Sequence, residues 1–391
     1  MKVLFVSSWY PTPQNPNLGI FIKEHAKSIK TADHDIRVLA LVVVRDEPYF
    51  KVNHREYIDE SGIRTFEIVI KSRIRDVLYH LVPLQNIIAY RYYKKYIARY
   101  FVPDIIHSNV VFPAGIIGDY IARKLKKPHV ITEHWSKLSG LLEKPFLSRL
   151  AIGAYKRSKA ILPVSKFLEG NIVSLIPSLR EHRFHVVPNV ISPEVFSYRE
   201  KIPVDGTIRF CAVATWATKK VPDKQPELFI EALAKLQNRI DKKIELTMVG
   251  NGNRVPELKA LCQSLSLNVD FVGYKTKPQI AEILYKSDFF LHASKVETFG
   301  VVVVEALMTG TPVICSAVGG LPELIDDSNG VLCENTVDDW EEAVTKSIRK
   351  LFVSRFISDN IVDNYSYNRI GGVINRIYRS INKKDHIYFD S

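Results

Sequence analysis

The chain has 391 residues, 46% of them hydrophobic and 25% charged, which is too long for one ordinary core and excludes a disordered or low-complexity polymer. Its net charge of +12 is uneven: residues 1–200 hold 30 Lys and Arg against 18 Asp and Glu, while residues 201–391 hold 24 of each, so the excess points the first half toward an anionic surface or polymer. Cys211, Cys262, Cys315 and Cys333 form no C-x-x-C pair and have no histidine pattern beside them, which argues against a zinc site or a disulfide framework.

The first apolar run, from Lys2, breaks at Ser7-Ser8 without a small-residue cleavage site, so it reads as a buried strand rather than a signal peptide. The longest run, Val38 to Val44, is far below the ~20 residues of a bilayer span, and no transmembrane helix is expected. Short β-branched runs recur at Lys2–Ser7, Ile36–Val44, Ile63–Ile70, Asp104–Ser108, His129–Glu133, Ala160–Val164 and Phe184–Val187, separated by segments of helical length and period. A second series follows at Ile208–Ala214, Ile244–Val249, Val269–Val272, Phe289–Ala293, Pro312–Ser316 and Val331–Cys333. The alternation implies an α/β protein with two doubly wound parallel sheets. Between the series, Pro188 to Pro193 and the polar stretch Tyr198 to Gly206 mark a linker, which puts the boundary near residue 200. Ile370 to Ile381 has a helical apolar stripe that needs a packing partner.

Ligands of open parallel sheets bind beyond the carboxyl ends of the strands. After Phe289–Ala293 the chain reads Ser294-Lys295-Val296-Glu297-Thr298-Phe299-Gly300, then four valines and Glu305. Four valines favour a strand by propensity. If Gly300 instead opens a helix, Glu297 stands at its mouth and Glu305 lies about 2.2 turns inside on a similar side. Paired carboxylates suit vicinal hydroxyls, and a helix N-terminus offers amides to a pyrophosphate. The turn Val249-Gly250-Asn251-Gly252-Asn253 lets backbone approach a phosphate or base, Gly319-Gly320 precede a proline suited to open a helix, and Lys219, Lys220 and Lys224 offer positive charge.

In order and spacing, these residues resemble retaining family 4 glycosyltransferases of the GT-B fold. The resemblance rests on the Gly-x-Gly turn, Phe271-Val272-Gly273-Tyr274, Ser294-x-x-Glu297-x-Phe299-Gly300 with Glu305-Ala306, Gly310-x-Pro312, Gly319-Gly320-x-x-Glu323 and Gly330. Fainter similarity covers the Gly19 loop, Pro103 to His107, Thr132-Glu133-His134-Trp135 and Val187-Pro188-Asn189-Val190. The resemblance implies a helical valine run and two Rossmann-like domains facing each other across a cleft: an acceptor domain, 1–198, a nucleotide-sugar domain, 199–368, and a C-terminal helix and tail, 369–391, packing on the first. It also implies a sugar transferase with a UDP- or GDP-linked donor, no further cofactor and retained anomeric configuration. Glu297 would hold donor-sugar hydroxyls, Glu305 the ribose, the amides around Phe299, Gly300 and Val301 the sugar and phosphates, and Lys224 or Lys220 the phosphates. Gly19 would close on the pyrophosphate and His134 would reach the sugar; read alone, His134 is equally a hydrogen-bonded core residue. Glu297, His134 and Lys224 are thus the implied catalytic residues, with Gly250, Gly252 and Tyr274 among the donor-binding ones. No metal is expected, since no Asp-x-Asp accompanies the motifs and lysines can supply the charge.

Two departures from the family pattern stand out. Ala214-Thr215-Trp216-Ala217 lacks the arginine usual before the phosphate-binding lysine, leaving phosphate to the lysines or to Arg254, and Gly19 is single where many relatives have paired glycines. A nucleotide-sugar epimerase and a catalytically silent sugar-nucleotide-binding subunit are the alternatives. On the acceptor side, Arg64 to Arg99 carries eight Lys and Arg among Tyr79, Tyr90, Tyr92, Tyr93 and Tyr96, which suits docking on an anionic membrane carrying a saccharide or polyprenyl-phosphate-linked acceptor. The expected place is cytoplasmic, peripheral on the inner face of the plasma membrane, with no nucleic-acid partner.

Overall fold

Strands that are apolar on both faces need helices above and below them, and both halves of the chain satisfy this. The computed structural model describes residues 1–386 except 13, 14, 16, 17, 48, 202–205 and 219–222, with backbone alone for 383–386. The chain divides into two compact units, Met1–Val190 with Tyr367–Ser391, and Ile191–Ser366. The N-terminal unit has β1 (Lys2–Ser7), β2 (Asp35–Arg45), β3 (Lys51–Ile58), β4 (Arg64–Ser72), β5 (Ile105–Asn109), β6 (His129–Glu133) and β7 (Ala160–Pro163), in the order β3-β4-β2-β1-β5-β6-β7. The C-terminal unit has β8 (Thr207–Val213), β9 (Lys243–Val249), β10 (Val269–Gly273), β11 (Phe289–His292), β12 (Val313–Ser316) and β13 (Gly330–Cys333), in the order β10-β9-β8-β11-β12-β13.

Every described strand pairs in parallel except β3, which runs antiparallel to β4 at the sheet edge. β3 escapes a reading by hydrophobicity because its sequence is polar and half of it faces solvent; Arg55 on β3 lies opposite Glu67 on β4 and forms an ion pair with it. Phe184–Val187 is not a strand. It follows β7 with single bonds, Ile161 N–H to Arg183 O at 3.0 Å and His185 N–H to Ile161 O at 3.1 Å, and makes only an isolated bridge. The expected boundary near residue 200 falls within the second unit: the division comes at Val190, and Ile191 N–H already bonds Tyr365 O at 3.1 Å.

The last helix, Tyr367–His386, belongs to the first unit. Its stripe Ile370, Ile374, Ile377, Tyr378 and Ile381 shares a core with Ile22, Ala26 and Ile29 of helix Ile20–Thr31. Burying each large side chain of that stripe contributes roughly 1.5–3 kcal/mol. Polar contacts fix the register: the Tyr367 hydroxyl donates to Glu24, and Tyr378 bonds His107 on β5.

Candidate active site

The best-defined group of charged side chains gathers where β11 ends. Segment 223–225 runs antiparallel beside 293–295: Gln225 N–H bonds Ala293 O at 3.1 Å, Lys295 N–H bonds Asp223 O at 2.8 Å, and Lys224 bridges Ser294. This short pairing aims Lys224 at the loop after β11, where its Nζ lies 2.7 Å from Glu297 Oε2, 3.2 Å from His292 Nε2 and 3.3 Å from Ser294 Oγ. His292 Nε2 lies 3.2 Å from the same carboxylate oxygen. Burial by itself would raise the Glu297 carboxyl, but the His292 hydrogen bond and the Lys224 charge outweigh it and hold the group well below the usual carboxylate range. Burial and the Lys224 charge push His292 below its ordinary value. At neutral pH the group is therefore an ionised Glu297 beside a cation and a neutral imidazole.

The backbone under Glu297 is held as firmly as its side chain. Gly320 N–H donates to Glu297 O at 3.0 Å. Gly319 has φ +60°, and a Cβ there would lie 1.8 Å from Glu297 O, so only glycine lets the two loops approach this closely. Ser294 N–H bonds Ser316 Oγ at 3.0 Å, Ser316 bonds Asn335 at 2.6 Å, and Asn335 returns to Ser294 O at 3.0 Å, tying the loops after β11, β12 and β13 together.

Gly300, at φ +101°, caps helix Val301–Met308, so the valine run is helical: burial of Val303, Val304, Ala306, Leu307 and Met308 against the unit overrides strand propensity. Phe299 is buried with its ring centroid 5.8 Å from that of Tyr365. Glu305 is 4% exposed, with Lys277 Nζ 3.6 Å from its Oε1. Tyr274 is exposed just past β10. At Gly250 and Gly252 a Cβ would lie 1.8 Å from Ala214 O and Trp216 O respectively, so this turn lies tight against the 214–217 segment. Lys219 and Lys220 lie outside the described residues. Arg254, the alternative to the lysines for phosphate, is engaged within the protein. Its buried guanidinium donates to both Glu227 oxygens at 3.2 Å, to Glu257 at 3.3 Å and to Lys224 O at 3.1 Å, and so anchors the lysine's backbone.

In the N-terminal unit, Gly19 at φ +66° precedes helix Ile20–Thr31, and His134 follows β6. His134 is buried against Phe21 and His25, with Nε2 3.3 Å from Asn109 Oδ1; burial and the nearby His25 hold it neutral, well below its ordinary value. Glu133 beside it is buried. Its Oε1 accepts the N–H groups of His134 and Trp135 at 2.9 Å, and its Oε2 accepts Val111 N–H at 2.9 Å and the Tyr155 hydroxyl at 2.6 Å.

Two family models match successive parts of the chain, Glycosyltransferase Family 4 over residues 18–195 and Glycosyl transferases group 1 over residues 217–365. The chain is a family 4 glycosyltransferase. It is 26% identical over 370 residues to the putative teichuronic acid biosynthesis glycosyltransferase TuaC of Bacillus subtilis, covering 88% of this chain and 89% of that one. It is also 26% identical over 260 residues to the alpha-monoglucosyldiacylglycerol synthase of Streptococcus pneumoniae, covering 61% and 58%. Among solved structures, Anabaena HepE in complex with UDP aligns with a TM-score of 0.71 at 18% identity, covering 97% of this chain and all of that one, which places the transferase in the GT-B fold.

His292, the last residue of β11, was passed over by the sequence patterns and meets Lys224 from 68 positions away. Arg254 and Glu133 were named in the sequence, and their contacts with the Lys224 carbonyl and with Val111 and Tyr155 come from the fold.

Proposed function

We propose that the transferase takes a hexose from a UDP- or GDP-linked donor and passes it, with retention, to a saccharide or polyprenyl-phosphate-linked acceptor in cell-surface polysaccharide or glycolipid synthesis. The observation that carries this reading is the Lys224–Glu297–His292 group at the mouth of helix Val301–Met308, with Glu305 buried within that helix. Glu297 presents a fixed anionic acceptor for sugar hydroxyls, and Glu305 presents one for the ribose. As the glycosyl bond breaks, charge collects on the leaving diphosphate, which Lys224 and the amides around Phe299, Gly300 and Val301 stabilise without reorganising. Gly19, His134, Gly250, Gly252 and Tyr274 keep the donor-contacting parts that the family likeness implies. TuaC, the glucolipid synthase and the UDP complex of HepE support the choice of substrates by their names. A melting-temperature panel of UDP, GDP, ADP and their sugars should select one nucleotide, since binding stabilises by mass action, about 2.7 kcal/mol at a hundredfold excess over Kd. Proton NMR of the product should then show the donor's anomeric configuration; an inverted product refutes the mechanism.

The acceptor's membrane is proposed to be met by helix Val82–Tyr92 and its π-helical extension Tyr93–Ile97. No helix among the described residues is long and apolar enough to cross a membrane. Arg64, Lys71, Arg73 and Arg75 are engaged by Glu56, Asp46, Glu47 and Asp76, so half of the expected basic cluster is already paired. Tyr92 and Tyr93 are buried and do not serve as interfacial anchors. Arg91, Lys94, Lys95 and Arg99 stay exposed, with no carboxylate paired to them among the described residues, and Val77, Leu81 and Ile87 are exposed ahead of them at 61%, 42% and 42%. Each cation near an anionic leaflet contributes about 1 kcal/mol, screened within roughly 8 Å at physiological salt. Wild type should float with anionic liposomes at low salt and be released by added salt, and the variant with all four cations changed to Glu should stay in the soluble fraction. Equal flotation of both proteins would remove this surface from the proposal.

A further inference from the structure

The carboxyl ends of β1, β5 and β6 deliver a set of rings that the donor chemistry does not use. Trp9 follows β1, Phe112 follows β5 and Trp135 follows β6, while Tyr79 comes from helix Arg75–His80. Trp9 and Trp135 meet edge to face at 6.2 Å, Trp135 lies nearly parallel to Phe112 at 6.3 Å and 18°, and Tyr79 meets Phe112 edge to face at 5.3 Å. Three separate strands thus bring their rings together at the edge where open parallel sheets take their ligands.

Exposure separates the two indoles from the core, whereas Phe112 beside them is buried. Of the four tryptophans, Trp216 and Trp340 are buried in the C-terminal unit, whereas Trp9 and Trp135 are only half-buried. Their backbones are nonetheless rigidly held. The buried Glu133 carboxylate receives Trp135 N–H through one oxygen and, through the other, the N–H of Val111 beside Phe112. Trp9 packs so closely on the start of helix Ile20–Thr31 that a Cβ on Gly19 would lie 1.7 Å from its carbonyl oxygen, and Trp9 N–H bonds Ser7 Oγ at 3.1 Å. Half-open indoles on a fixed backbone are preorganised for a flat apolar ligand that carries polar groups at its rim. A pyranose is such a ligand: its axial C–H groups carry partial positive charge and match the negative face of an aromatic ring, and its hydroxyls stay at the edge.

We infer that Trp9 and Trp135 form the platform on which a pyranose ring of the acceptor rests, with Glu133 as the positioning residue beneath it; this rests on the reading of the acceptor as a saccharide or saccharide-bearing lipid. The test uses the full chain with saturating UDP and titrates the methyl glycosides of glucose, galactose, N-acetylglucosamine and glucuronic acid, following tryptophan emission. At least one glycoside should change the emission saturably. Trp135→Leu should weaken that response roughly 3- to 10-fold and Trp135→Phe should restore most of it, in line with the worth of one aromatic contact. The UDP-induced rise in melting temperature should be the same in all three proteins and reports that the variants are folded and bind donor nucleotide. The platform is overturned if UDP stabilises the protein but no glycoside changes the emission, or if Trp135→Leu responds as wild type does. Failure of every nucleotide to raise the melting temperature would instead strike the underlying substrate assignment.

Discussion

Replacing Glu297 with Gln is expected to lower kcat roughly 10²- to 10³-fold, the loss typical of removing one preorganised group from a charge-separating site, with nucleotide affinity nearly unchanged. The variant keeps the shape of the side chain but removes the charge that Lys224 and His292 both approach. Lys224 then loses its fixed counter-ion, and the donor sugar loses a charged acceptor for its hydroxyls. Initial rates at saturating donor decide the point, and wild-type turnover would sink the assignment. The same variant carries a pH signature. The folded-state pKa of Glu297 lies below its ordinary 4.5, so its ionised form contributes stability that is fully present above about pH 4.5 and is lost as pH falls through the lower folded value. The melting temperatures of wild type and Glu297→Gln should therefore differ at neutral pH and converge in acid.

Glu305→Ala should act on binding rather than turnover. A buried carboxylate accepting hydroxyl hydrogen bonds contributes about 1.5–3 kcal/mol, so Kd for the nucleotide should rise roughly 10- to 150-fold while kcat at saturating donor holds. Glu305 already faces Lys277 at 3.6 Å, and removing the carboxylate leaves that ammonium without this partner; Glu305→Gln tests the charge with less disturbance of packing. Calorimetry with UDP and GDP measures the effect directly. Wild-type affinity in both variants, with melting temperatures confirming that they are folded, would take Glu305 out of the nucleotide site.

The positions of the two carboxylates, Glu297 at the mouth of a helix and Glu305 within it, were readable because local spacing carries them: eight positions across a Gly-opened helix set both residues at once. The valine run shows where local information misleads. Val301 to Val304 favour a strand by propensity, and the helix follows from burial of the unit's apolar side chains and from Gly300 at φ +101°. His292 and Arg254 had no such local cue, since their partners lie on other elements: Lys224 is 68 positions from His292 and 30 from Arg254.

By itself the sequence determined the alternation of buried strands and helices in each half, an amphipathic helix near the C-terminus that needs a packing partner, and the order of the glycine and carboxylate motifs. All of these depend on period and spacing along the chain. Only the tertiary structure decided that Arg254 serves Glu227, Glu257 and the Lys224 carbonyl, that the polar run Lys51–Ile58 becomes an edge strand, and that half of the basic cluster is already paired. It also decided that Trp9 and Trp135 meet, 126 positions apart. A charge or a ring carries no mark in sequence of what it will face, because its partner is chosen by how strands and loops stack in space.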